Sequence, residues 1–341
     1  MVNSNKRITV YILASLLMVI LSGSVLAGEY SDGTNSPDAI DAGIPGVFEN
    51  QLNPVFSGWA VTVVEYLPSD ETESYGIDGI GPSPYTGNDF SDTANALGPV
   101  TTSDLDVVSL GDLNWEDGVT YDIDDEPGFI TLSFPETVSN GPGPDFAVFE
   151  NTFGSGGLLP AELAFVEVST NGTDFARFPC YYNASSEPVG PYGYIDVTKI
   201  WNLAGKHINS GSGSWGTPFN LSDLSEHPLV LDNTVNIEQI NYIRIVDIAG
   251  NGYFADSLGN PIYDAWETWG SGGFDLNAVG ILENITGDGD SDGEVNFHDF
   301  LRLHKNWNKT GGWPQGDFNE DGFVDADDYL LLAGNWLYRN K

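Results

Sequence analysis

The sequence has few basic side chains and a single cysteine. Eleven Lys and Arg residues stand against 50 Asp and Glu residues, which gives a formal net charge of −39. Because such a charge repels phosphate backbones, we expect no nucleic acid among the partners. The lone Cys180 excludes an intrachain disulfide framework. Stability must therefore come from a packed core, with bound cations as a second source.

Long apolar runs are also missing, with one exception near the N terminus. Lys6 and Arg7 precede an apolar run from Ile8 to Leu21, and a series of small residues ends at Ala27. This pattern predicts a secretory signal peptide over residues 1–27. An uncleaved anchor is the alternative, because the run approaches the lower length of a membrane span. We predict a secreted or cell-surface protein with no membrane span after cleavage.

Residues 28–285 are predicted to form one β domain. Short runs of branched and aromatic residues alternate there with turn formers, and the clearest runs are Trp59–Leu67, Phe129–Phe134, Phe146–Phe149, Leu163–Val168, Tyr242–Ile248 and Ala278–Leu282. Apolar runs of this length between turns favour antiparallel strands. We therefore expect a mainly β fold, either a β-sandwich or a jelly roll.

An internal repeat occupies the predicted C-terminal domain, residues 286–341. Gly287, Gly293, Val295, Leu303 and Trp307 recur 29 positions later, as Gly316, Gly322, Val324, Leu332 and Trp336. The repeat indicates one supersecondary unit used twice.

Each repeat carries oxygen donors at the spacing of a calcium loop. Calcium takes six to eight oxygens, one of them a backbone carbonyl at loop position 7, and the loop needs a glycine at position 6. The predicted ligands are Asp288, Asp290, Asp292, Glu294, Asn296 and Asp299 in the first loop, and Asp317, Asn319, Asp321, Phe323, Asp325 and Asp328 in the second. We predict two calcium ions, whose binding is coupled to folding. An acidic solvated loop is the alternative.

A short helix is predicted after each loop. Phe300, Leu303 and Trp307 are spaced to lie on one helix face, and Tyr329, Leu332 and Trp336 repeat the spacing. We expect the two stripes to pack against each other in a small core with Val295 and Val324.

The C-terminal segment, about Gly287 to Leu337, resembles the type I dockerin family of bacterial extracellular proteins. Neither loop follows a full helix, and position 12 is Asp where an EF-hand has Glu. The resemblance implies docking to a cohesin-type receptor, often in assemblies that act on polysaccharides. It places partner recognition at loop positions 10 and 11, which are Phe297 and His298 in the first repeat and Ala326 and Asp327 in the second. A calcium-stabilised module without a cohesin partner stays open.

The upstream segment resembles a widespread, uncharacterised family of bacterial exported surface proteins. The resemblance rests on stretches such as NGPGPDFAVFENTF and AELAFVEVSTNGTDFARFP, and it extends over most of residues 28–283. It implies a galactose-binding-like β-sandwich. It supplies no catalytic residues.

Residue patterns for catalysis are weak. Glu162 with Glu167, and Asp145 with Glu150, are carboxylate pairs of the kind a glycosidase needs, but so acidic a chain produces such pairs readily. None of the four histidines has HExxH spacing. We predict no catalytic residues and favour a non-enzymatic protein that docks or assembles at a surface. A secreted polysaccharide-active hydrolase and a purely structural surface protein are the alternatives.

Two further binding functions are hypotheses for the β domain. Carbohydrate binding would use tryptophans in loop segments, namely Trp201, Trp215, Trp266 and Trp269. An additional calcium site would use oxygen donors around one loop, namely Asp247, Asp256, Asn260 and Asp264.

Overall fold

The computed structural model describes residues 42–48, 51–69, 73–74, 77–78, 89–101, 103, 105–113, 126–152, 158–207, 209, 214–268 and 272–339. The predicted signal peptide lies outside these ranges.

The described residues form many short strands and few helices. The strands, in chain order, are β1 (Ile44–Pro45), β2 (Val47–Phe48), β3 (Gln51–Leu52), β4 (Phe56–Trp59), β5 (Thr62–Leu67), β6 (Glu73–Ser74), β7 (Ile77–Asp78), β8 (Val108–Ser109), β9 (Phe129–Val138), β10 (Phe146–Glu150), β11 (Leu158–Leu159), β12 (Ala164–Ser169), β13 (Ala176–Arg177), β14 (Tyr181–Tyr182), β15 (Ile195–Asp196), β16 (Ile200–Trp201), β17 (Trp215–Phe219), β18 (Ile240–Asp247), β19 (Asp275–Leu282), β20 (Lys309–Thr310) and β21 (Phe323–Val324). The helices are α1 (Pro228–Leu231), α2 (Phe297–Lys305) and α3 (Ala326–Gly334), and short 3-10 turns span Thr93–Ala96, Val197–Lys199, Leu221–Leu224 and Trp313–Gln315.

Two antiparallel sheets form the large domain. The first has the order β1-β17-β10-β19-β4, with β8 also paired to β19. The second has the order β13-β12-β18-β9-β5. This arrangement confirms the prediction of a mainly β sandwich.

The main core lies between the two sheets. Phe146 and Val148 of β10 face Ile130 of β9 and both Ile243 and Ile245 of β18, and all five side chains are buried. Alternate residues of a strand point to opposite faces, so the partners of this core come from every second position.

The outer face of each sheet is covered as well. Ala147 and Phe149 of the first sheet pack against Ile44 and Val55. Phe165 of the second sheet packs in a separate cluster of loop and edge residues, which includes Leu159, Tyr182, Ile195, Ile200 and Ile262. The central strands β10 and β19 of the first sheet are buried almost throughout, whereas β12 and β18 of the second sheet also carry the partly buried Glu167 and Arg244.

One predicted strand is divided in the structure. The run Trp59–Leu67 contributes its first residue to β4 in the first sheet and its last six to β5 in the second. Val61 between them is exposed and Ala60 is fully buried. The chain crosses from one sheet to the other at this point, which an apolar run alone does not reveal.

The C-terminal module has a two-fold internal symmetry. Gly287 lies against the Cα of Leu332, and its counterpart Gly316 lies against the Cα of Leu303. Both glycines have positive φ angles, 105° and 99°, where a side chain would be strained as well as blocked. Each repeat therefore begins by packing on the helix of the other.

The small core of this module differs in part from the prediction. Leu303, Leu332, Val295 and Val324 are buried as expected. Trp307, Tyr329 and Trp336, in contrast, are 39%, 44% and 43% exposed. Both helices end before their tryptophan, at Lys305 and Gly334, so the helical spacing does not continue to it. Trp313 and Phe318 fill the space, with ring centroids 5.2 Å apart.

Candidate calcium centre and docking surface

Backbone amides organise the first acidic loop around its carboxylates. Asp288 accepts from the amides of Asp292 at 3.2 Å and Gly293 at 2.8 Å. Asp299 accepts from the Gly289 amide at 2.8 Å and from the Asn296 amide at 2.7 Å, so its carboxylate joins the start of the loop to its end. Asn296 and Asp299 also form the capping box of α2, so the same residues end the loop and begin the helix.

The second loop repeats this hydrogen-bond pattern. Asp317 accepts from Asp321 at 3.2 Å and from Gly322 at 2.8 Å. Asp328 accepts from Phe318 and from Asp325, both at 2.8 Å, and forms the capping box of α3 with Asp325. Two segments of different sequence thus reach one geometry.

Carboxylates converge most closely in the first loop. Asp288, Asp290 and Asp292 each offer an oxygen within 4.8 Å of the others. Burial, followed by the charges of Asp299 and Asp290, raises the pKa of Asp288 well above its usual range. Burial and the charge of Asp290 raise the pKa of Asp292 to about 6 and that of Asp299 to about 7. So many carboxylates in one place favour a bound cation.

The residues present fit calcium at this position. The Oδ1 atom of Asp290 is buried and has no hydrogen-bond partner, while its Oδ2 lies 3.5 Å from Arg302. A cation held by carboxylates and a loop carbonyl would supply the missing partner. In the second loop, burial and then the charge of Asp328 raise the pKa of Asp317 to about 6.

The predicted ligands fall into two groups by position. Glu294 and Phe323 stand at position 7, where the carbonyl is the donor, and the Glu294 side chain pairs with Arg339 at 3.4 Å. Asn319 donates to Asp321 at 3.0 Å across the second loop. The assignment of individual ligands stays a prediction.

Large apolar side chains are exposed on both helices of the module. Phe297, Leu301 and Leu330 are 57%, 47% and 65% exposed. Leu301 and Leu330 occupy equivalent positions in the two repeats. The predicted recognition residues Phe297, His298, Ala326 and Asp327 are all exposed at the starts of the helices. Exposed apolar groups of this size are typical of a protein-binding surface.

The calcium loops, rather than the helices, contact the sandwich. The side chain of the buried Asn53 donates to the Ser291 carbonyl at 2.7 Å. Glu320 accepts from the Gly143 amide, from Asn220 at 3.1 Å and from Ser222 at 3.4 Å. Ser291 and Glu320 are both at loop position 4, and both have positive φ angles. This orientation leaves the exposed helix faces away from the sandwich contacts.

A cleft of about 810 Å³ lies between the sandwich and the module. Trp201, Trp215 and Asn202 line it from the sandwich, and Asp290 and Arg302 line it from the module. Both tryptophans are half-buried. Of the other two candidates for sugar binding, Trp266 is buried, with its indole donating to Leu113 at 2.9 Å, and Trp269 is outside the described residues.

The candidate carboxylate pairs have structural partners. Asp145 accepts from the Gly141 and Leu221 amides, at 2.6 and 2.7 Å, and burial raises its pKa to about 7. Glu167 pairs with Arg177 at 2.8 Å. Glu150 belongs instead to a group of buried carboxylates at one end of the sandwich. Burial, followed by the charges of Asp275 and Glu150, raises the pKa of Glu162 well above its usual range.

The four residues predicted for an additional calcium site separate into two sets. Asp256 accepts from Asn260 through both its amide and its side chain, at 2.8 and 2.9 Å, and from the Leu258 and Tyr182 amides. Asp256 and Asn260 therefore form a hydrogen-bonded turn. Asp247 and Asp264 belong to the carboxylate group at the end of the sandwich.

Sequence reasoning missed Trp313 and the two residues at loop position 4. The indole of Trp313 donates to the Asp288 carbonyl at 2.8 Å, and its ring lies beside Gly143 of the sandwich. Trp313 lies between the two loops and has no counterpart in the repeat, so the repeat gave no signal for it. Position 4 carries Ser in one loop and Glu in the other, which hides its common role.

Within the described ranges, no helix has the length and apolarity needed to cross a membrane.

The domain boundary at 285/286 stays a prediction, although Ile285 packs on the small core of the C-terminal module. No curated protein matches the chain. The family resemblance of residues 28–283 stays a prediction too. Residues 286–337 match the family model of the dockerin type I domain, so the C-terminal module is a type I dockerin.

Proposed function

We propose that this is an exported protein whose dockerin, ordered by one calcium ion in each loop, attaches the sandwich to a cohesin-like partner. The observation that supports it is the pairing of two equivalent acidic loops with exposed apolar helix faces. The role that we propose for this attachment is cell-surface attachment or a carbohydrate-related assembly, at a secreted or cell-surface location.

The proposed partner surface consists of the exposed faces of α2 and α3. Leu301 and Leu330 present the same side chain on the two related faces, whereas Phe297 and His298 correspond to Ala326 and Asp327. The faces share their apolar centre and differ at the edge. A partner that binds one face therefore needs an apolar patch, and its edge contacts decide which face it prefers.

Biolayer interferometry of the full chain against a panel of immobilised cohesin domains tests this proposal. We expect calcium-dependent binding to at least one cohesin, removed by chelation and weakened at least tenfold by the double variant Leu301→Ala/Leu330→Ala. A matched control, Leu258→Ala, removes an exposed leucine of the sandwich and should leave binding unchanged. Absence of binding to every cohesin by the calcium-loaded chain would overturn the proposal.

Carbohydrate binding by the sandwich is a second candidate function, favoured by the cleft that contains Trp201 and Trp215. Half-buried tryptophan faces beside amide and carboxylate groups suit the alternating apolar and hydroxyl surfaces of a sugar. The lining of the cleft includes Asn202 and Asp223, and the Asn202 side chain donates to Asp223 at 2.9 Å.

Affinity electrophoresis in gels of plant and algal polysaccharides, run beside a reducing-end assay, separates the three functional alternatives. We expect retardation without release of reducing ends, and loss of retardation in Trp215→Ala but not in Trp307→Ala, an exposed tryptophan of the dockerin. Release of reducing ends would favour the hydrolase. Neither retardation nor release would favour a purely structural protein.

A further inference from the structure

A group of buried carboxylates closes one end of the sandwich. The group consists of Asp112, Glu150, Asp247, Asp264 and Asp275, none more than 2% exposed. They come from the segment after β8, the last residues of β10 and β18, the loop after β18 and the first residue of β19. Both sheets thus send acidic residues to the same end of the core.

These carboxylates form one electrostatic group. Burial and the charge of Asp247 raise the pKa of Asp112 well above its usual range. Burial raises the pKa of Asp264 similarly, with further contributions from the charges of Asp247 and Asp112. Burial is the largest cause that raises the pKa values of Glu150 and Asp247, and the charge of Asp275 raises both further. Buried like charges require neutralisation, either by protons or by a cation.

Three basic side chains of the sandwich make ion pairs elsewhere, and the buried Lys206 donates to the Ile200 carbonyl. Arg177 pairs with Glu167, Lys199 pairs with Asp196 at 3.3 Å, and Arg244 lies 3.4 Å from Glu65. Hydrogen bonds account for part of the carboxylate oxygens: Thr268 donates twice to Asp112, the Leu163 amide donates to Asp264, and Asn151 donates to Asp275.

One carboxylate oxygen of the group has no partner. Asp247 accepts from the Phe274 amide at 2.8 Å through Oδ1, whereas its Oδ2 is buried without a hydrogen bond. Asp247 itself is 1% exposed. Leaving a charged oxygen buried and unbonded is costly, so its surroundings indicate a ligand.

A backbone carbonyl lies close to the same carboxylate. A Cβ at Gly273 would meet the Gly111 oxygen at 2.7 Å and Asp247 Oδ1 at 2.8 Å, so both oxygens lie close to the Gly273 backbone. Gly273 has a φ of 68°, and its amide donates to Thr268. A carboxylate, a carbonyl and a second carboxylate nearby are the donor types that calcium prefers.

We propose that the sandwich binds a third calcium ion at this end of its core, with Asp247 and Asp112 as charged ligands and the Gly111 carbonyl as a neutral one. In the described part of the sandwich, no three acidic, histidine or cysteine side chains bring ligand atoms within 4.8 Å of one another. Two direct carboxylate ligands, rather than three, are therefore assigned. The second dockerin loop also has no three such side chains with ligand atoms within 4.8 Å of one another.

Native mass spectrometry of the full chain in calcium counts the ions directly. We expect three ions in the unaltered protein, two in Asp247→Asn, and one in Asp288→Ala/Asp317→Ala, in which both dockerin loops are disabled. The control Asp174→Asn alters an exposed sandwich carboxylate and should keep three. Equal ion counts for Asp247→Asn and the unaltered chain would overturn the proposal.

Terbium luminescence supplies a readout that leaves the sandwich unaltered. Trp266 is buried next to the group, since a Cβ at Gly250 would meet both Asp264 Oδ1 and the Trp266 Cβ. In the Asp288→Ala/Asp317→Ala variant, we expect indole excitation to produce terbium emission that calcium displaces. Absence of such emission from this variant would overturn the proposal and leave the docking function untouched, because docking requires only the dockerin loops.

Discussion

Carboxylates are concentrated in two regions of this molecule, which differ in how the chain assembles them. In each dockerin loop they come from twelve consecutive residues, and the loop's own amides hold them. At the end of the sandwich they come from strands and loops as far apart as Asp112 and Asp275. The first region forms only when a short segment is ordered, whereas the second is held by an extensive apolar core. Metal should therefore control folding in the dockerin and adjust stability in the sandwich.

Disabling the dockerin loops should have the largest effect. In Asp288→Ala/Asp317→Ala, each loop loses its first carboxylate, which also accepts hydrogen bonds from two backbone amides. We expect calcium affinity at the loops to fall by more than about 100-fold and the two helices to become disordered. Isothermal titration calorimetry and circular dichroism measure this, with Asp327→Ala as an exposed control. Retention of dockerin helicity by the double variant would contradict the prediction.

Truncation of the dockerin core should have the second largest effect. Leu303 is 1% exposed in the small dockerin core, and Leu303→Ala should lower its free energy of unfolding by about 2–5 kcal/mol. Leu301→Ala, on the exposed face of the same helix, should change it by less than about 0.5 kcal/mol. Denaturant unfolding in saturating calcium provides the comparison. Similar losses for both variants would show that the small core is misassigned.

Acid should weaken calcium binding at the loops over a defined range. The pKa of Asp299 is raised to about 7 and those of Asp292 and Asp317 to about 6, chiefly by burial. Protons therefore compete with calcium, and affinity should fall about tenfold per pH unit and displaced proton below pH 6. Calorimetry at pH 5, 6, 7 and 8 tests this expectation. Affinity independent of pH between 5 and 7 would contradict it.

The calcium-free sandwich should show the opposite trend in stability. Burial raises the pKa of Asp247 to about 7, so its favourable contribution is complete below its unfolded pKa near 3.8 and is lost as the pH rises through 7. In chelator, we expect the unfolding temperature of the sandwich to decrease from pH 5 to pH 8. Calcium at the proposed third site should remove most of this decrease. Asp247→Asn should show a smaller decrease, because Asp112, Glu150 and Asp264 also have raised pKa values, and it should not respond to calcium.

Loss of the contact between the dockerin and the sandwich should have the smallest effect. Glu320→Ala removes the acceptor for Gly143, Asn220 and Ser222 but lies on an exposed loop, so we expect less than about 1 kcal/mol. Small-angle scattering should show a larger radius of gyration than for the Asp327→Ala control. Identical scattering of both variants would mean that Glu320 does not fix the dockerin.

Local patterns explain which features the sequence predicted. Calcium loops and their glycines are contiguous, and β10 and β19 are recognisable because both faces of the first sheet are buried. The carboxylate group of the sandwich was found only in part, through Glu150, Asp247 and Asp264, because Asp112 and Asp275 join it through the tertiary fold. Trp307 and Trp336 were misassigned to the core because both helices end before them, and their recurrence in the repeat does not indicate whether they are buried.

Hydrogen–deuterium exchange of the full chain, with calcium and after chelation, tests the central claim most directly. The account predicts that peptides covering α2 and α3 are protected with calcium and lose protection in chelator, while peptides covering β18 keep theirs. Equal protection of both dockerin helices in the two conditions would contradict the claim that calcium orders the docking surface.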